Sequence, residues 1–452
     1  MPRFHLKQSA RLQLTSYSGL ALLGQCFEAA QVEVVLDPKI PVSQGMKTSD
    51  IVKSAVGLLS LGKGDFEAIE PFREDRFFKE ALGLKKVPGA VWMRQRLDAI
   101  AARLRELTDE LSLRLLERTQ APITAHEGYV CLDIDTFVMD NSDTRKEAVG
   151  RTYQGVDGYT PIAAYLGNEG WCTGLELRPG TQHSVADSEY FLERLFPRVQ
   201  RLVPAEAAVL ARLDSGFDSV RLLFDLAAER DRLEALGRRF DFIVKWNPRK
   251  QDKAAWVHRA EAAGAFVQAR PGKREAMLTL ALERAHKRQR RTLRLVVRVV
   301  ERTIDRKGQH LLAPEIELQG WWTSLEVANE KVIALYKHHG THEQFHSEIK
   351  TDLDLERLPS GKFDTNDCLL HLAAFAYNCL RLLGQLGLTG EIAPIRHPAK
   401  RRRLRTVLQE IMYRAAQFVA HARKLILDFG RGVAAHVKVF ATVQERLLCR
   451  SP

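Results

Sequence analysis

YKHHGTHEQFHSEIK, residues Tyr336 to Lys350, concentrates one phenol, four imidazoles, two carboxylates and two ammonium groups in fifteen positions. No helix breaker stands between Gly340 and Pro359, so the run predicts a helix entered by a short turn. At about 3.6 residues per turn, Tyr336, His339, Glu343 and Lys350 stack along one face. A single carboxylate flanked by groups that bind phosphate suits metal-assisted chemistry on a phosphodiester. A solvated face of an ordinary charged helix would read the same way. The run also contains His342-Glu343-Gln344-Phe345-His346, the H-E-x-x-H pattern of zinc proteases, with a glutamate base between two ligands on one face. Its downstream continuation is missing, since Ser347-Glu348-Ile349-Lys350 supplies no G-x-x-H.

Outward from this run, acids interrupt apolar strands at two places. Asp133 and Asp135 lie in the strand-like VCLDIDTFV, two residues apart and so on one sheet face. Asp214 closes AAVLARLD just before Ser215-Gly216-Phe217. Ionised carboxylates at apolar strands are costly unless paired or bound to metal. Two-metal phosphoryl chemistry needs carboxylates that converge from separate segments. Asp135, Asp214 and Glu343 supply that set if the two strands are neighbours. Turn amides satisfying two strand-end acids are the plainer alternative.

The element order supports neighbouring strands. Three apolar runs, at Tyr129–Asp140, Pro161–Leu166 and Trp171–Leu177, predict an antiparallel meander. A helix from Ser184, the strand ending at Asp214, a helix from Ser219 and the strand FDFIVKW follow. This is the order of an α/β, ribonuclease-H-like catalytic core. Before it, residues 1–125 predict a helical DNA-binding region, with helices over Leu20–Ala30, Thr48–Leu61 and Ala90–Leu116. The Gly83–Gly89 turn followed by an Arg-rich helix (Arg94 and Arg96 foremost) has the form of a helix-turn-helix, or of a plain helical bundle. The core's first part spans 126–246, a β-rich basic insertion with Arg290 and Arg291 spans 247–313, the last part with the Glu343 helix spans 314–390, and a basic tail spans 391–452.

Composition agrees with a polyanionic partner. Lys and Arg number 68 against 56 acids, a formal charge of +12 over 452 residues. The six cysteines (Cys26, Cys131, Cys172, Cys368, Cys379 and Cys449) form no C-x-x-C pair, which excludes a zinc ribbon or disulfide framework and fits a reducing cytoplasm. MPRFHLKQSARLQL lacks an apolar signal segment, and no run is long enough to span a membrane. A soluble intracellular protein is expected.

With these residues assembled, the chain resembles the DDE transposases of bacterial insertion sequences, in the group marked by Y-x2-R-x3-E-x6-K. Here that signature reads Tyr336, His339, Glu343, Lys350, with Asp135-Thr136 and Asp214-Ser215-Gly216-Phe217 similar to the family's two aspartate motifs. The resemblance implies a cut-and-paste DNA transposase in which Asp135, Asp214 and Glu343 hold two Mg2+ ions, with Mn2+ able to substitute. It implies cleavage at element ends, 3′-hydroxyl transfer into target DNA, a homodimer bridging terminal inverted repeats on double-stranded DNA, and a nucleoid-associated location. Tyr336, His339 and Lys350 would contact phosphate near the cut. The signature's arginine is replaced by His339, which donates one hydrogen bond rather than a bidentate pair. Asp133 rivals Asp135 as first ligand; Thr136 favours Asp135. Trp321 and Trp322 are candidates for stacking on a displaced base, or for core packing. Arg151, Arg178 and His183 lie in loops and read as surface residues able to touch DNA. A catalytically decayed DNA-binding repressor and an H-E-x-x-H metalloprotease are the alternatives.

Overall fold

The apolar run from Tyr129 forms β1 (Tyr129–Thr136), the third strand from one edge of a nine-stranded mixed sheet. The computed structural model describes residues 5–450 apart from 7, 10, 11, 306, 396, 422 and 423. The hairpin β2 (Ile162–Leu166) and β3 (Trp171–Glu176) adds to one side of β1, with β2 antiparallel to it. On the other side β4 (Ala208–Leu213) and β5 (Phe240–Lys245) run parallel to β1. β2 and β4 are buried along their whole length, as largely apolar strands flanked by neighbours on both sides require.

Beyond β5 the sheet continues through β6 (Phe266–Arg270), β7 (Lys273–His286), β8 (Gln289–Ile304) and β9 (His310–Thr323). The basic segment expected as a β-rich insertion is rich in strands, and these extend the main sheet. β9 returns to pair with β5, Trp322 opposite Val244, so the full order is β6-β7-β8-β9-β5-β4-β1-β2-β3. Fourteen residues in β7 and sixteen in β8 make this arm about 50 Å long. Its base is apolar and buried through Leu295, Val297 and Val299, while its tip is exposed.

The helices include α1 (Leu20–Ala30), α2 (Thr48–Leu59), α3 (Ala90–Arg118), α4 (Ser188–Leu202), α5 (Val220–Ala235) and α6 (Lys253–Ala262). Later in the chain come α7 (Asn329–Lys337), α8 (His342–Ser347), α9 (Phe363–Gly387) and α10 (Ala434–Arg450). α9 is apolar around its circumference and accordingly buried. It lies along α3, fastened by polar pairs: His371 Nδ1 to Asp109 at 2.7 Å, Arg105 to Asp367 at 2.7 Å and Thr365 to Asp98 at 2.6 Å. The arginine-rich helix of the amino-terminal region is thus held along one side by the helix that follows the signature run.

The region from residue 391, read from its charge as a tail, contains two strands and a helix. Ala416–His421 pairs with Lys424–Asp428 on one edge and with Leu14–Thr15 on the other. α10 packs on α9 so closely that a Cβ at Gly387 would stand 2.7 Å from Val439 and 2.8 Å from Val443. Five of the six cysteines are buried and free; the side chain of Cys449 lies outside the described residues. Among the described residues no helix is long and apolar enough to cross a membrane.

Candidate active site

β1 and β4 run in parallel register with Ile134 opposite Leu213, so the next residues, Asp135 and Asp214, sit at adjoining strand ends. Strands in a ladder lie about 4.8 Å apart, which brings the two carboxylates into one electrostatic neighbourhood. Each is oriented by backbone. Asp135 Oδ1 accepts from the Thr136 amide at 2.7 Å, and Asp214 Oδ1 from the Gly216 amide at 2.9 Å. Glycine gives this turn room, because a Cβ at Gly216 would crowd Ser184 Oγ at 2.9 Å and Asp214 Oδ1 at 3.0 Å. Burial, followed by the charge of Asp135, pushes the Asp214 carboxyl up to about 6. Burial also acts upward on Asp135, but the hydrogen bond and charge of His342 outweigh it and hold that carboxyl low.

Asp133, the rival first acid, is fully committed elsewhere. Arg212 on β4 grips both its oxygens at 2.7 Å, and His339 Nδ1 lies 2.8 Å from Oδ1. Burial opposes its ionisation, yet Arg212 and His339 hold the carboxyl down to about 2. A third Arg212 bond goes to the Leu335 carbonyl at 2.7 Å, tying α7 to the sheet. A buried charge surrounded in this way is structural, and it leaves Asp135 as the acid facing Asp214.

The signature run does not present the face expected of it. The backbone tightens into a three-residue-per-turn segment over His338–Thr341 before α8 begins, and the turn widens over Glu348–Asp352. These changes break the 3.6-residue phase that put Tyr336, His339, Glu343 and Lys350 together. His339, His342 and His346 turn inward along β1, with His339 on Asp133 and His342 Nε2 2.6 Å from Asp135 Oδ2. His346 stacks on Phe137, ring centres 4.3 Å apart, and burial depresses its imidazole to about 3. A ring nitrogen of His342, one of His346 and a carboxylate oxygen of Asp135 lie within 4.8 Å of one another. The Glu343 side chain is exposed and has no hydrogen bond or ion pair among the described residues.

The remaining expected DNA contacts fall in varied places. His339 is 3% exposed, so as placed it meets Asp133 rather than solvent. Tyr336 is half-buried beside Trp321 and Lys245, and Lys350 Nζ donates to the Val138 carbonyl at 2.8 Å and pairs with Glu356 at 3.0 Å. Arg94 pairs with Glu67, Arg290 with Glu283 and Arg291 with Asp231, and Arg96 reaches Thr48 at 3.5 Å. Trp321 and Trp322 are buried; Lys245 Nζ lies 3.9 Å over the Trp321 ring, and Trp322 Nε1 donates to Asp218 at 2.9 Å. Arg178, read as a surface residue, is buried and donates to the Ser184 carbonyl at 3.0 Å.

A cleft of about 620 Å³ opens from Asp214, lined also by Arg151, Tyr153, His183 and Arg249. Tyr153 was not legible in the sequence as a site residue. Its ring is largely exposed, and partial burial with the charges of Asp135 and Asp214 pushes its phenol up to about 12. His342 and His346 were legible only as an H-E-x-x-H pattern; the acid brought next to them is Asp135 on β1 rather than a downstream residue.

The description of the family "Transposase DDE domain group 1" matches residues 12–450, nearly the whole chain. The chain belongs to this family and is a DDE transposase, which sets aside the metalloprotease reading of His342 and His346. No curated protein sequence matches it. Among solved structures it is similar to a piggyBac transposase in a synaptic complex with hairpin DNA, at 10% identity and a TM-score of 0.39, over 96% of this chain and 86% of that one.

Proposed function

We propose that the chain is a cut-and-paste transposase of a bacterial insertion sequence, with a ribonuclease-H-like core, cleaving DNA at the element's ends and joining the freed 3′-hydroxyls to target DNA. The observation that carries this reading is the Ile134–Leu213 register, which sets Asp135 and Asp214 side by side at the open end of two parallel strands. The strand order β3-β2-β1-β4-β5 supports the core assignment. Two crowded carboxylates, one of them pushed up to about 6, suit a divalent cation, because positive charge between them relieves both burial and mutual repulsion. Asp135, Asp214 and Glu343 would hold two Mg2+ ions, or Mn2+ in their place. When bound, these ions polarise the scissile phosphate and lower the pKa of the attacking hydroxyl.

The chain's own residues then have separable tasks. The Thr136 and Gly216 amides fix the two aspartates in orientation before substrate arrives. Glu343 is exposed while His342 and His346 face β1, so its role as a ligand requires DNA binding to turn it toward the strand ends. Arg151 and Arg249 offer positive charge along the cleft for the backbone on either side of the cut. Arg94, Arg290 and Arg291 are held by exposed ion pairs, each worth about 0–1 kcal/mol, which phosphates can displace. Two copies would bridge a pair of terminal inverted repeats.

The test is nicking of linear DNA carrying the element's ends, in Mg2+ and in Mn2+, by the full chain and by Asp214→Ala and Glu343→Gln. The wild type should cut and both variants should bind ends without cutting. A wild type that binds ends but cuts in neither metal would make the protein a repressor and end the enzymatic reading.

A further inference from the structure

The inward-facing histidines are not needed by a three-carboxylate site, and their geometry is that of a ligand set. His342 Nδ1 contacts the His339 backbone carbonyl, which can only accept, so Nδ1 carries a hydrogen and donates. That leaves Nε2 as the nitrogen directed at Asp135 Oδ2, 2.6 Å away. An imidazole lone pair and a carboxylate oxygen repel at such a distance unless a proton or a metal ion stands between them. A carbonyl behind the far ring nitrogen is also the arrangement that orients metal-binding histidines.

His346 completes the group. It lies one helical turn beyond His342, is 6% exposed, and its Nε2 is buried without a hydrogen-bond partner. Stacking on Phe137 fixes its ring plane. An unpaired nitrogen in such a place is costly unless something binds it. The donors of Asp135, His342 and His346 lie within 4.8 Å of one another, a spread that small side-chain rotations close onto an ion with bonds of about 2.0–2.2 Å. Two imidazoles and one carboxylate select borderline ions such as Zn2+ over Mg2+, which prefers oxygen.

We propose that Asp135, His342 and His346 form a binding site for a zinc-class divalent ion, sharing Asp135 with the Mg2+ pair and so acting as an inhibitory site. The inhibitory part rests on the proposed cleavage function; the binding part does not. A zinc ion in this group draws Asp135 toward α8 and away from Asp214, so Zn2+ should suppress Mg2+-supported nicking.

The experiment measures metal binding to the full chain directly, by competition for Zn2+ with a chromophoric chelator and by the visible absorption of bound Co2+. The wild type should take up one equivalent of each with a four-coordinate Co2+ spectrum. His346→Gln and His342→Gln should each weaken binding by more than the roughly 10–100-fold that loss of a merely supporting residue costs. Asp214→Asn, outside the group, should bind zinc as the wild type does while failing to nick. Circular dichroism verifies folding, and if His346→Gln does not fold, His342→Gln and Asp135→Asn carry the same comparison. Absence of uptake, or uptake unchanged in the histidine variants, overturns the proposal. An active enzyme that takes up no zinc refutes this site alone, whereas a chain that takes up zinc through these residues but never nicks refutes the cleavage function alone.

Discussion

Asp214→Asn should make the metal-free protein more stable at neutral pH while destroying its cleavage activity. Asp214 sits beside Asp135 with its carboxyl pushed up to about 6, against an ordinary value of 3.8. The folded chain therefore holds a proton there that the unfolded chain has already released. Stability contributed by that proton is fully present below pH 3.8 and is lost as pH rises through about 6. At 1.36 kcal/mol for each tenfold change in proton affinity, the full loss is about 3 kcal/mol, and coupling to Asp135 makes it an upper bound. Asparagine keeps the Gly216 contact and carries no charge, so it escapes the loss. Urea unfolding in EDTA, followed from pH 4 to pH 8, should show wild type and variant converging in acid and separating through pH 6, the variant on top. Saturating Mg2+ should narrow the gap by stabilising the wild type alone. Parallel curves across that range would mean that the two carboxylates do not share a pocket, and the metal assignment would fall with them.

Arg212→Met strips Asp133 of its bidentate partner inside the sheet and should destabilise the fold by about 3–5 kcal/mol by chemical unfolding, much of it recovered when Asp133→Leu is added. Glu343→Gln should leave stability within about 0.5 kcal/mol, since the side chain is exposed and unpaired, yet should abolish nicking in a gel assay. Gly170→Ala combines a φ of +72° with a Cβ only 2.2 Å from the Phe345 ring, and should cost about 1–3 kcal/mol by thermal unfolding. Arg290→Ala and Arg291→Ala at the arm should barely alter stability; each should lower the slope of log affinity against log salt for DNA by about 1.

Much of the sheet was legible because burial writes itself as largely apolar runs with few charges. The strands at 162–166, 171–176, 208–213 and 240–245 each fall inside one. Asp135 and Asp214 stood out for the same reason, as charges inside or closing such runs. The signature helix was harder. Its 3.6-residue phase predicts which side chains align only while the backbone keeps that pitch, and the tightened turn at His338–Thr341 breaks it. Nothing local in KHHGT distinguishes a histidine that faces solvent from one that faces Asp133, because the choice is made by Arg212 and Asp133 on other strands. Arg178 was missed similarly: its burial is set by the Ser184 loop. The carboxy-terminal strands pair with each other as a local hairpin, but the outer partner of the first, Leu14–Thr15, lies some four hundred residues away and could not be read from the hairpin's own sequence.

That last pairing governs how the protein can come into being. α1, α3, α9 and α10 share a single interior, and the edge strand at Leu14–Thr15 has no neighbour until residue 416 exists. During synthesis the earliest helices must wait, unfinished, for the latest segment to leave the ribosome. A product cut short before residue 416 would lack both the strand that pairs with Leu14–Thr15 and the helix α10 that covers α9, and should be cleared by proteases and chaperones rather than persist as a lighter transposase.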